Sequence, residues 1–569
     1  MGIPSYFSHI VRKHRSIIQP ITPDSPKINN LYLDCNSFIY DAQRNMPPVT
    51  PTVTYEKQLI SAVCESLILY MNKLKPDGRV FIAFDGVAPL AKLDQQRNRR
   101  YMTAFQASLD SKTGASVSMK WNTSAITPGT EFMTLLGTTI KTRFNKPAEF
   151  GLQQIIVSAS DDAGEGEHKI YEYIRNDPLY HKGTCTVIYG LDADLIMLTL
   201  NHLHISENMF LFRETPEFIK SIDKTLNPNE MYVLDIPLFA KSIIAEMTKA
   251  QAPAVQAQAP AVHVQAPAPA LASEAQVFAM HSSPLTKDVL FDYIFMCFFL
   301  GNDFLPHFPA LNIRTSGIQR LIDTYNHIFA GKKESLTKNR EIIWKNVRLF
   351  ITSLAENELD YIKTEYIQRE KMSKQSMYSN FNKNNNDKNK PAEDENLRLP
   401  TKERSLELYI NPNEGGWESR YYNCLFNIRI DDDRRQEICT NYLEGLEWTM
   451  KYYSMGCADW RWSYNYYYPP LLSDLIKYVP YFDKTFIPAK PKNPVSPLVQ
   501  LSYVLPPVSM DLLPPKLKEA LVKEEPDWYV GNYNFLWAFC TFFWEAHVDL
   551  PHIALDRLEQ IVVKTMIGA

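Results

Sequence analysis

Cysteine is scarce in this chain, and its pattern excludes the usual cysteine-based sites. Eight cysteines occur in 569 residues, and none forms a Cys-x-x-Cys pair or a cluster with histidine. Several lie inside apolar runs such as DYIFMCFFL and FLWAFC. A structural zinc site is therefore not expected, and the cysteines are predicted to be reduced, buried and structural in an intracellular protein.

The chain also lacks long hydrophobic runs, a signal sequence and an excess of positive charge. No stretch reaches the roughly 18 apolar residues of a membrane helix, and the N-terminus MGIPSYFSHI lacks the profile of a secretory signal. We therefore expect no membrane partner and a cytoplasmic location, with the nucleus left open. The net charge of -4 argues against a basic protein that simply coats DNA.

The chain does contain an alternation of short apolar segments with longer amphipathic ones. Between residues 28 and 240, the segments INNLYLDCNSFIY, GRVFIAFDG, LQQIIVSAS and CTVIYGLDADLIML are typical of strands. Helical patterns such as YEKQLISAVCESLILYMNKL lie between them. This alternation predicts an α/β fold in which a mixed, mainly parallel sheet is flanked by helices.

Two low-complexity segments interrupt the chain. Residues 250–275 are rich in Ala, Pro and Gln, and repeated proline excludes a helix or a central strand. Residues 371–400 are polar and rich in Asn and Lys, which predicts disorder. We therefore expect an α/β core over residues 1–249 that continues over 276–370, with a mostly helical region over 401–569 packed against it.

Acidic residues follow the predicted strands at the point where each strand ends. In open α/β sheets, the carboxyl ends of parallel strands meet in one crevice. A single such Asp is often only a turn former or helix N-cap, but turns do not require GEGE or DAD segments between apolar runs. Oxygen-only donor sets suit Mg²⁺ or Mn²⁺, and we expect two ions. The candidate catalytic and metal-binding residues are Asp34, Asp85, Glu165, Glu167, Asp192, Asp194 and Asp303.

The segment DDAGEGEHKI separates into two pairs of acids. Asp161 and Asp162 are predicted to be solvated loop residues. Glu165 and Glu167 are the proposed metal-site pair. Because residues i and i+2 diverge on a regular helix, both can point inward only where the segment is irregular or just entering the helix.

A polar helix face follows Asp85 directly. Its residues stand at i, i+4, i+7 and i+8, which is one face of a helix, and they are Lys92, Gln96, Arg99 and Arg100. The alternative interpretation is a solvated amphipathic face. Two guanidiniums, an ammonium and an amide beside the acids make a good phosphate pocket.

The aromatic run DWRWSYNYYYPP could stack unpaired bases. Packing between helices is the alternative, and it applies most strongly to the tyrosines. Trp460 and Trp462 are the better stacking candidates.

Several segments, in this order, resemble one known family. MGIPSYF, LYLDCNSFIY, FIAFDGVAPLAKLDQQRNRRY, ITPGTEFM, GEGEHKI, IYGLDADLIML and FFLGNDFLPH are similar to motifs of the XRN family of 5′-3′ exoribonucleases. GLEWTMKYYSMGCADWRWSYNYYYPPLLSDL resembles its second conserved region. The resemblance covers nearly the whole chain outside the low-complexity segments. It implies a PIN/FEN-like nuclease core with little beyond the catalytic core.

The resemblance also implies an activity and roles for particular residues. The activity would be magnesium-dependent, processive degradation of single-stranded RNA with a 5′ monophosphate, by a monomer that has the decapping machinery as a candidate partner. The seven acids would form the active site. The polar face of the helix would form the 5′-phosphate pocket. Tyr40, at the family's His position, would stack on the first base together with Trp460 or Trp462. Tyrosine keeps the aromatic face but loses a ring nitrogen.

Two other functions remain as alternatives from the sequence. A flap-type structure-specific endonuclease shares the acidic sheet edge. A catalytically silent RNA-binding scaffold is the second alternative, and the intact set of seven acids argues against it.

Overall fold

A seven-stranded sheet lies at the centre of the part of the chain that the structure describes. This computed structural model describes residues 2–46, 53–112, 121–213, 226–227, 230–248, 284–382, 398–427 and 431–567. The strand order is β1-β7-β6-β5-β2-β3-β4. The strands are β1 Ile18–Pro20, β2 Asn30–Asp34, β3 Arg79–Ala83, β4 Gln154–Ser158, β5 Thr186–Tyr189, β6 Met209–Phe212 and β7 Tyr232–Asp235.

The sheet is mixed and mainly parallel, as predicted. The neighbouring strands β6, β5, β2, β3 and β4 run parallel, whereas β7 is antiparallel to β6 and β1 is antiparallel to β7. Side chains alternate between the two faces of each strand. In β2, Leu31 and Leu33 join the core on one face and Tyr32 joins the core on the other.

Helices cover both faces of this sheet. Helices α2, α3 and α5 supply the core on one face, and α1, α6, α8, α9 and α10 supply it on the other. Their bounds, with α4 and α7, are α1 Tyr6–Lys13, α2 Asn36–Asn45, α3 Val53–Leu74, α4 Leu90–Lys112, α5 Glu131–Arg143, α6 Gly166–Asn176, α7 Pro178–His181, α8 Asp194–His202, α9 Ile236–Met247 and α10 Pro284–Cys297.

The C-terminal region is mostly helical, and part of it packs on α4. Leu93 of α4 shares a buried cluster with side chains of α19, α20 and α21. The helices are α11 Gly317–Phe329, α12 Trp344–Glu356, α13 Glu358–Asn382, α14 Leu399–Lys402, α15 Ser405–Ile410, α16 Trp417–Phe426, α17 Asp432–Ser454, α18 Leu472–Tyr478, α19 Pro497–Val504, α20 Pro515–Glu524 and α21 Leu555–Ile567. Two short antiparallel pairs complete it, β8 Thr337–Lys338 with β9 Glu341–Ile342, and β10 Asn534–Leu536 with β11 His547–Asp549.

The predicted disorder from residue 371 is wrong for its first part. Helix α13 continues to Asn382, because the segment KMSKQSMYSNFN contains no Gly or Pro and has good helix formers among its residues. The rest of that segment up to residue 397, and the whole of 250–275, lie outside the described residues.

The cysteines and the helices bear on two predictions, that the cysteines are reduced and buried and that no helix spans a membrane. All eight cysteines are free, and six of them are buried. Among the described helices, none is both long and apolar enough to cross a membrane.

Candidate active site

The sheet topology brings the predicted acids together at one edge. Strands β5, β2, β3 and β4 are parallel neighbours, so their carboxyl ends share one crevice. Asp34 is the last residue of β2, Asp85 follows β3, and Asp192 follows β5. Glu165 and Asp194 stand at the starts of α6 and α8, the helices that follow β4 and β5.

Backbone and amide groups fix Asp85 on both of its oxygens. The Gly166 N–H donates to Asp85 Oδ1 at 2.7 Å, and Asn36 Nδ2 donates to Asp85 Oδ2 at 2.6 Å. A Cβ on Gly166 would lie 2.5 Å from Asp34 Oδ1. Glycine between the two glutamates therefore lets the backbone approach Asp34 and Asp85 without a clash.

Glu165 and Glu167 both lie inside the protein because they sit at the start of a helix. Glu165 is the N-cap of α6 with extended backbone, and Glu167 is the second helical residue. Both side chains are buried. The Tyr452 hydroxyl of α17 donates to Glu165 Oε1 at 2.8 Å. The prediction that both point inward at a helix entry is confirmed.

The outer pair of DDAGEGEHKI behaves differently, as predicted. Asp161 and Asp162 are exposed. Asp161 accepts from Lys141 Nζ at 2.6 Å, and Asp162 accepts from the Ser158 hydroxyl at 2.8 Å. These two carboxylates are exposed, and their partners lie outside the acidic cluster.

Asp303 joins the cluster from a distant part of the chain. It follows a short 3₁₀ helix, Phe298–Leu300, that continues α10. Lys92 Nζ lies 2.8 Å from Asp303 Oδ2 and 2.5 Å from Glu165 Oε2. The Gly2 N–H donates to Asp303 Oδ1 at 3.1 Å. One ammonium therefore links the acids of the sheet edge to Asp303.

The clustered carboxylates repel one another. Burial, followed by neighbouring acids, raises the pKa of Asp34 and Glu167 well above their usual values. Burial and then Asp303 raise the pKa of Asp194 to about 7. Asp303 is different, because Lys92 and other cations outweigh its burial and lower its pKa. Glu165 also contacts Lys92, yet burial keeps its pKa raised, so Lys92 offsets the repulsion at Asp303 but not throughout the cluster.

The donor set fits a divalent cation in its chemistry. Glu167 Oε2 and Asp194 Oδ1 are buried and have no hydrogen-bond partner among the described residues. A buried carboxylate oxygen without a partner lowers the stability of the fold unless a cation or a proton binds to it. Within the described ranges, no group of three or more His, Cys, Asp or Glu side chains is arranged so that it could hold a metal ion. Lys92 instead lies between Glu165 and Asp303.

The predicted polar face lies on helix α4, beside the acids. Arg99 Nη2 is 3.6 Å from Asp303 Oδ1, and its Nε and Nη2 have no hydrogen-bond partner among the described residues. Arg100 donates to the carbonyls of Ser124 and Ile126 at 3.4 Å. Lys92 is committed to the acids, so Arg99 has the most donor capacity left for a phosphate.

The structure distinguishes the aromatic candidates. Trp462 belongs to the core, where its ring stacks on Trp448 with centroids 5.1 Å apart. Trp460 lies beside α4, since its carbonyl accepts from the Leu90 N–H at 3.0 Å, and its Nε1 has no partner in the described chain. Tyr40 is 40% exposed. Trp460 is as buried as Trp462, at 8% and 7% exposure, but within the described chain it is not stacked on another ring, so Trp460 and Tyr40 are the better candidates for stacking on a base.

Three residues that hold the site together were not predicted. Asn36 lies two positions after Asp34, and the quoted segment LYLDCNSF contains it, so an amide beside the first acid was the available signal. Lys169 donates to the carbonyls of Phe84 and Ala159, both at 2.8 Å. Tyr452 lies 287 residues from its partner Glu165, and no local pattern indicates that contact.

Fold and site together define a class. A mainly parallel sheet with carboxylates gathered at the carboxyl ends of its central strands is a PIN/FEN-like nuclease core. Comparison with known families agrees: residues 1–215 match the XRN 5′-3′ exonuclease N-terminus, and residues 286–408 and 369–566 match the Xrn1 helical domain. The chain belongs to the XRN family of 5′-3′ exoribonucleases, and it is a nuclease enzyme of that family.

Individual relatives are distant but match over almost the whole chain. The 5′-3′ exoribonuclease 2 of Gallus gallus is 26% identical over 98% of this chain and 69% of its own length. The 5′-3′ exoribonuclease 2 homolog of Drosophila melanogaster is 27% identical over 99% and 71%. The 5′-3′ exoribonuclease 1 of Schizosaccharomyces pombe is 26% identical, and there the match covers 48% of the relative.

Proposed function

We propose that this enzyme degrades single-stranded RNA processively from a 5′-monophosphate end and releases mononucleotides, with Mg²⁺ or Mn²⁺ as cofactor. One observation carries the proposal. The acidic cluster and the polar face of α4 meet at Asp303, which contacts Lys92 and lies 3.6 Å from Arg99. Basic side chains of a kind suited to phosphate therefore lie next to carboxylates of a kind suited to cations, and this adjacency supports the proposal.

The seven acids are the proposed cation ligands. Glu167 Oε2 and Asp194 Oδ1 support this assignment, because they are buried and unpartnered in the described chain. Bound divalent cations supply Lewis-acid stabilisation of the phosphodiester and lower the pKa of water, and a site with this many carboxylates suits two ions.

The chain's own residues position the substrate. Arg99 and Arg100 contact the terminal phosphate. Gln96 and Lys92 lie on the same face of the helix. Tyr40 and Trp460 hold the first base between two aromatic faces, since base stacking tolerates any sequence. Asn36 and Gly166 keep Asp85 in one orientation. The same set of side chains would then recognise the 5′ end of the RNA and position the neighbouring phosphodiester for cleavage.

The proposed enzyme works as a monomer in the cytoplasm on RNA whose cap has been removed. Cap removal leaves a 5′ monophosphate, which is the group that the α4 face is suited to bind. The decapping machinery is accordingly the proposed partner. A flap-type endonuclease would share the acids but has no use for a terminal-phosphate pocket.

We expect Arg99→Ala to raise KM for 5′-monophosphorylated RNA by roughly 10- to 100-fold, because one charged hydrogen bond to phosphate contributes about 1.5–3 kcal/mol. KM for the same RNA with a 5′ hydroxyl should stay near the wild-type value. Steady-state kinetics on a matched pair of RNAs measures both. Equal losses on the two substrates would remove Arg99 from phosphate recognition.

A matched control for this substitution is available on the same helix. Gln106 of α4 lies on the same side of the helix as Arg99 but two turns, about 10 Å, further along the axis, beyond the four residues of the proposed phosphate face. Gln106→Ala should leave KM for both RNAs unchanged. A similar loss in that variant would point to damage of α4 rather than to phosphate contact.

A further inference from the structure

A large cavity lies on the flank of α4 opposite Arg100. Its volume is about 690 Å³. Arg99 and Asp303 form part of its wall, so it borders the acidic cluster. Tyr40, Lys92, Gln96 and Arg100 are not among its lining residues. The cavity is therefore adjacent to the proposed active site but separate from the entrance for RNA, which the proposed function places beside Tyr40 and Arg100.

The helix geometry places this cavity and the entrance on different sides of α4. Gln95 and Asn98 line the cavity. They lie about 140° and 160° around the helix from Arg100, at about 100° per residue. Arg100 faces the carbonyls of Ser124 and Ile126. Arg99 and Asp303 mark the point where the two sides meet.

The lining suits a nucleotide. Tyr467 and His547 lie in the wall with ring centroids 5.3 Å apart, and rings of this kind stack on any base. Burial lowers the pKa of His307 and His547 to about 4, so both rings are uncharged at neutral pH. Small-molecule sites usually enclose about 300–1,000 Å³, and this volume falls within that range.

Asn302, next to Asp303, has an amide N–H group that is free to donate a hydrogen bond. Its Oδ1 accepts from the backbone N–H groups of Phe304 and Leu305 at 2.9 and 2.8 Å. These two bonds fix the orientation of the amide. Its Nδ2 is buried and has no partner in the described chain. The amide is therefore a candidate donor to a ligand oxygen at the inner end of the cavity.

We infer that this cavity receives the released nucleoside 5′-monophosphate and is its exit route. The inference rests on the proposed function.

The proposed reaction explains why a second opening is needed. Water adds to the second phosphate, the bond to the 3′ oxygen of the first nucleotide breaks, and that oxygen takes a proton. The first nucleotide leaves as a 5′-monophosphate, and the shortened RNA keeps a new 5′ phosphate. Because that RNA still fills the entrance, a processive enzyme needs a second opening for the product.

Filling the cavity tests this route. Ser463 lines it and hydrogen-bonds Asp94. Ser463→Trp should slow successive nucleotide release from a long RNA by about 10-fold, because product release becomes limiting, with the first cut changed less than about two-fold. Ser463→Ala loses the hydrogen bond but leaves the cavity open, and should match wild type in both rates. Rapid-quench sampling measures both rates. Unchanged successive release in Ser463→Trp, or equal slowing of both rates, would overturn the exit route.

A binding measurement on the wild-type protein does not depend on how the tryptophan variant folds. AMP is titrated calorimetrically with the entrance filled by a 5′-phosphorylated oligonucleotide whose phosphorothioate linkages resist cleavage. AMP should still bind. Loss of AMP binding in the presence of the oligonucleotide would overturn the cavity site. Failure of the proposed function is recognised separately, as wild-type enzyme that releases no mononucleotide from 5′-phosphorylated RNA.

Discussion

Asp85→Asn is expected to lower kcat for RNA degradation by at least about 1,000-fold, a loss of roughly 4 kcal/mol of transition-state stabilisation. The amide keeps the shape of the side chain, and its oxygen can still accept from the Gly166 N–H, which lies 2.7 Å from Asp85 Oδ1. Its NH2 group replaces the oxygen that accepts from Asn36 Nδ2, so one hydrogen bond is lost. It removes one negative charge from a cluster whose acids are proposed to hold cations. The loss should therefore be catalytic, with the fold retained.

Thermal denaturation checks that the fold is retained. Burial raises the pKa of Asp85, so removing its charge offsets the hydrogen bond lost from Asn36, and the melting temperature of the metal-free protein should stay within about 4 °C of wild type. The matched control is Asp161→Asn, because Asp161 is exposed and paired only with Lys141 in the described chain. Its activity should stay within about two-fold of wild type. Full activity in Asp85→Asn would show that another site cleaves the RNA.

Mg²⁺ is expected to raise the melting temperature of chelator-treated protein by about 5 °C or more at pH 8, and by less at pH 5. The physical reason is the repulsion within the acidic cluster. Cations bound to the folded protein alone stabilise it, and they bind best where the carboxylates are ionised. Calorimetry at both pH values, with and without Mg²⁺, measures the difference.

The pH dependence follows from the direction of the pKa shifts. Asp194 has a folded pKa of about 7 and an unfolded pKa near 3.9, so the folded state holds its proton over a range where the unfolded state has lost it. The metal-free protein should lose stability as pH rises through that window. Asp303, whose pKa is lowered, acts in the opposite direction at lower pH. Equal Mg²⁺ effects at pH 5 and pH 8 would contradict binding at these acids.

The order of strands explains why so much of the site was predictable. Asp34, Asp85 and Asp192 end segments with obvious strand patterns, and parallel neighbours bring such residues to one edge. The inward position of Glu165 and Glu167 could be predicted once a helix was expected to begin between them. Local periodicity also predicted the common face of Lys92 and Arg99, because a helix repeats within a few residues.

Contacts between distant segments were not predictable. Lys92 was expected to bind phosphate, but it contacts Asp303, which lies 211 residues away. Trp460 and Trp462 share one aromatic run, and only the fold shows that Trp462 packs on Trp448. Composition also misjudged residues 371–382, where a polar sequence continues helix α13. Each of these features depends on what the rest of the chain places beside a residue.

The most direct measurement compares the decay of one RNA with three different 5′ ends. The RNA carries a 5′ monophosphate, a 5′ hydroxyl or a cap, and each is incubated with the wild-type protein and Mg²⁺. We expect rapid release of mononucleotides from the monophosphorylated RNA, slow release from the hydroxylated RNA and none from the capped RNA, with all release abolished by a chelator. Equal decay of all three RNAs, or decay that persists in excess chelator, would contradict a metal-dependent enzyme that recognises the 5′ monophosphate.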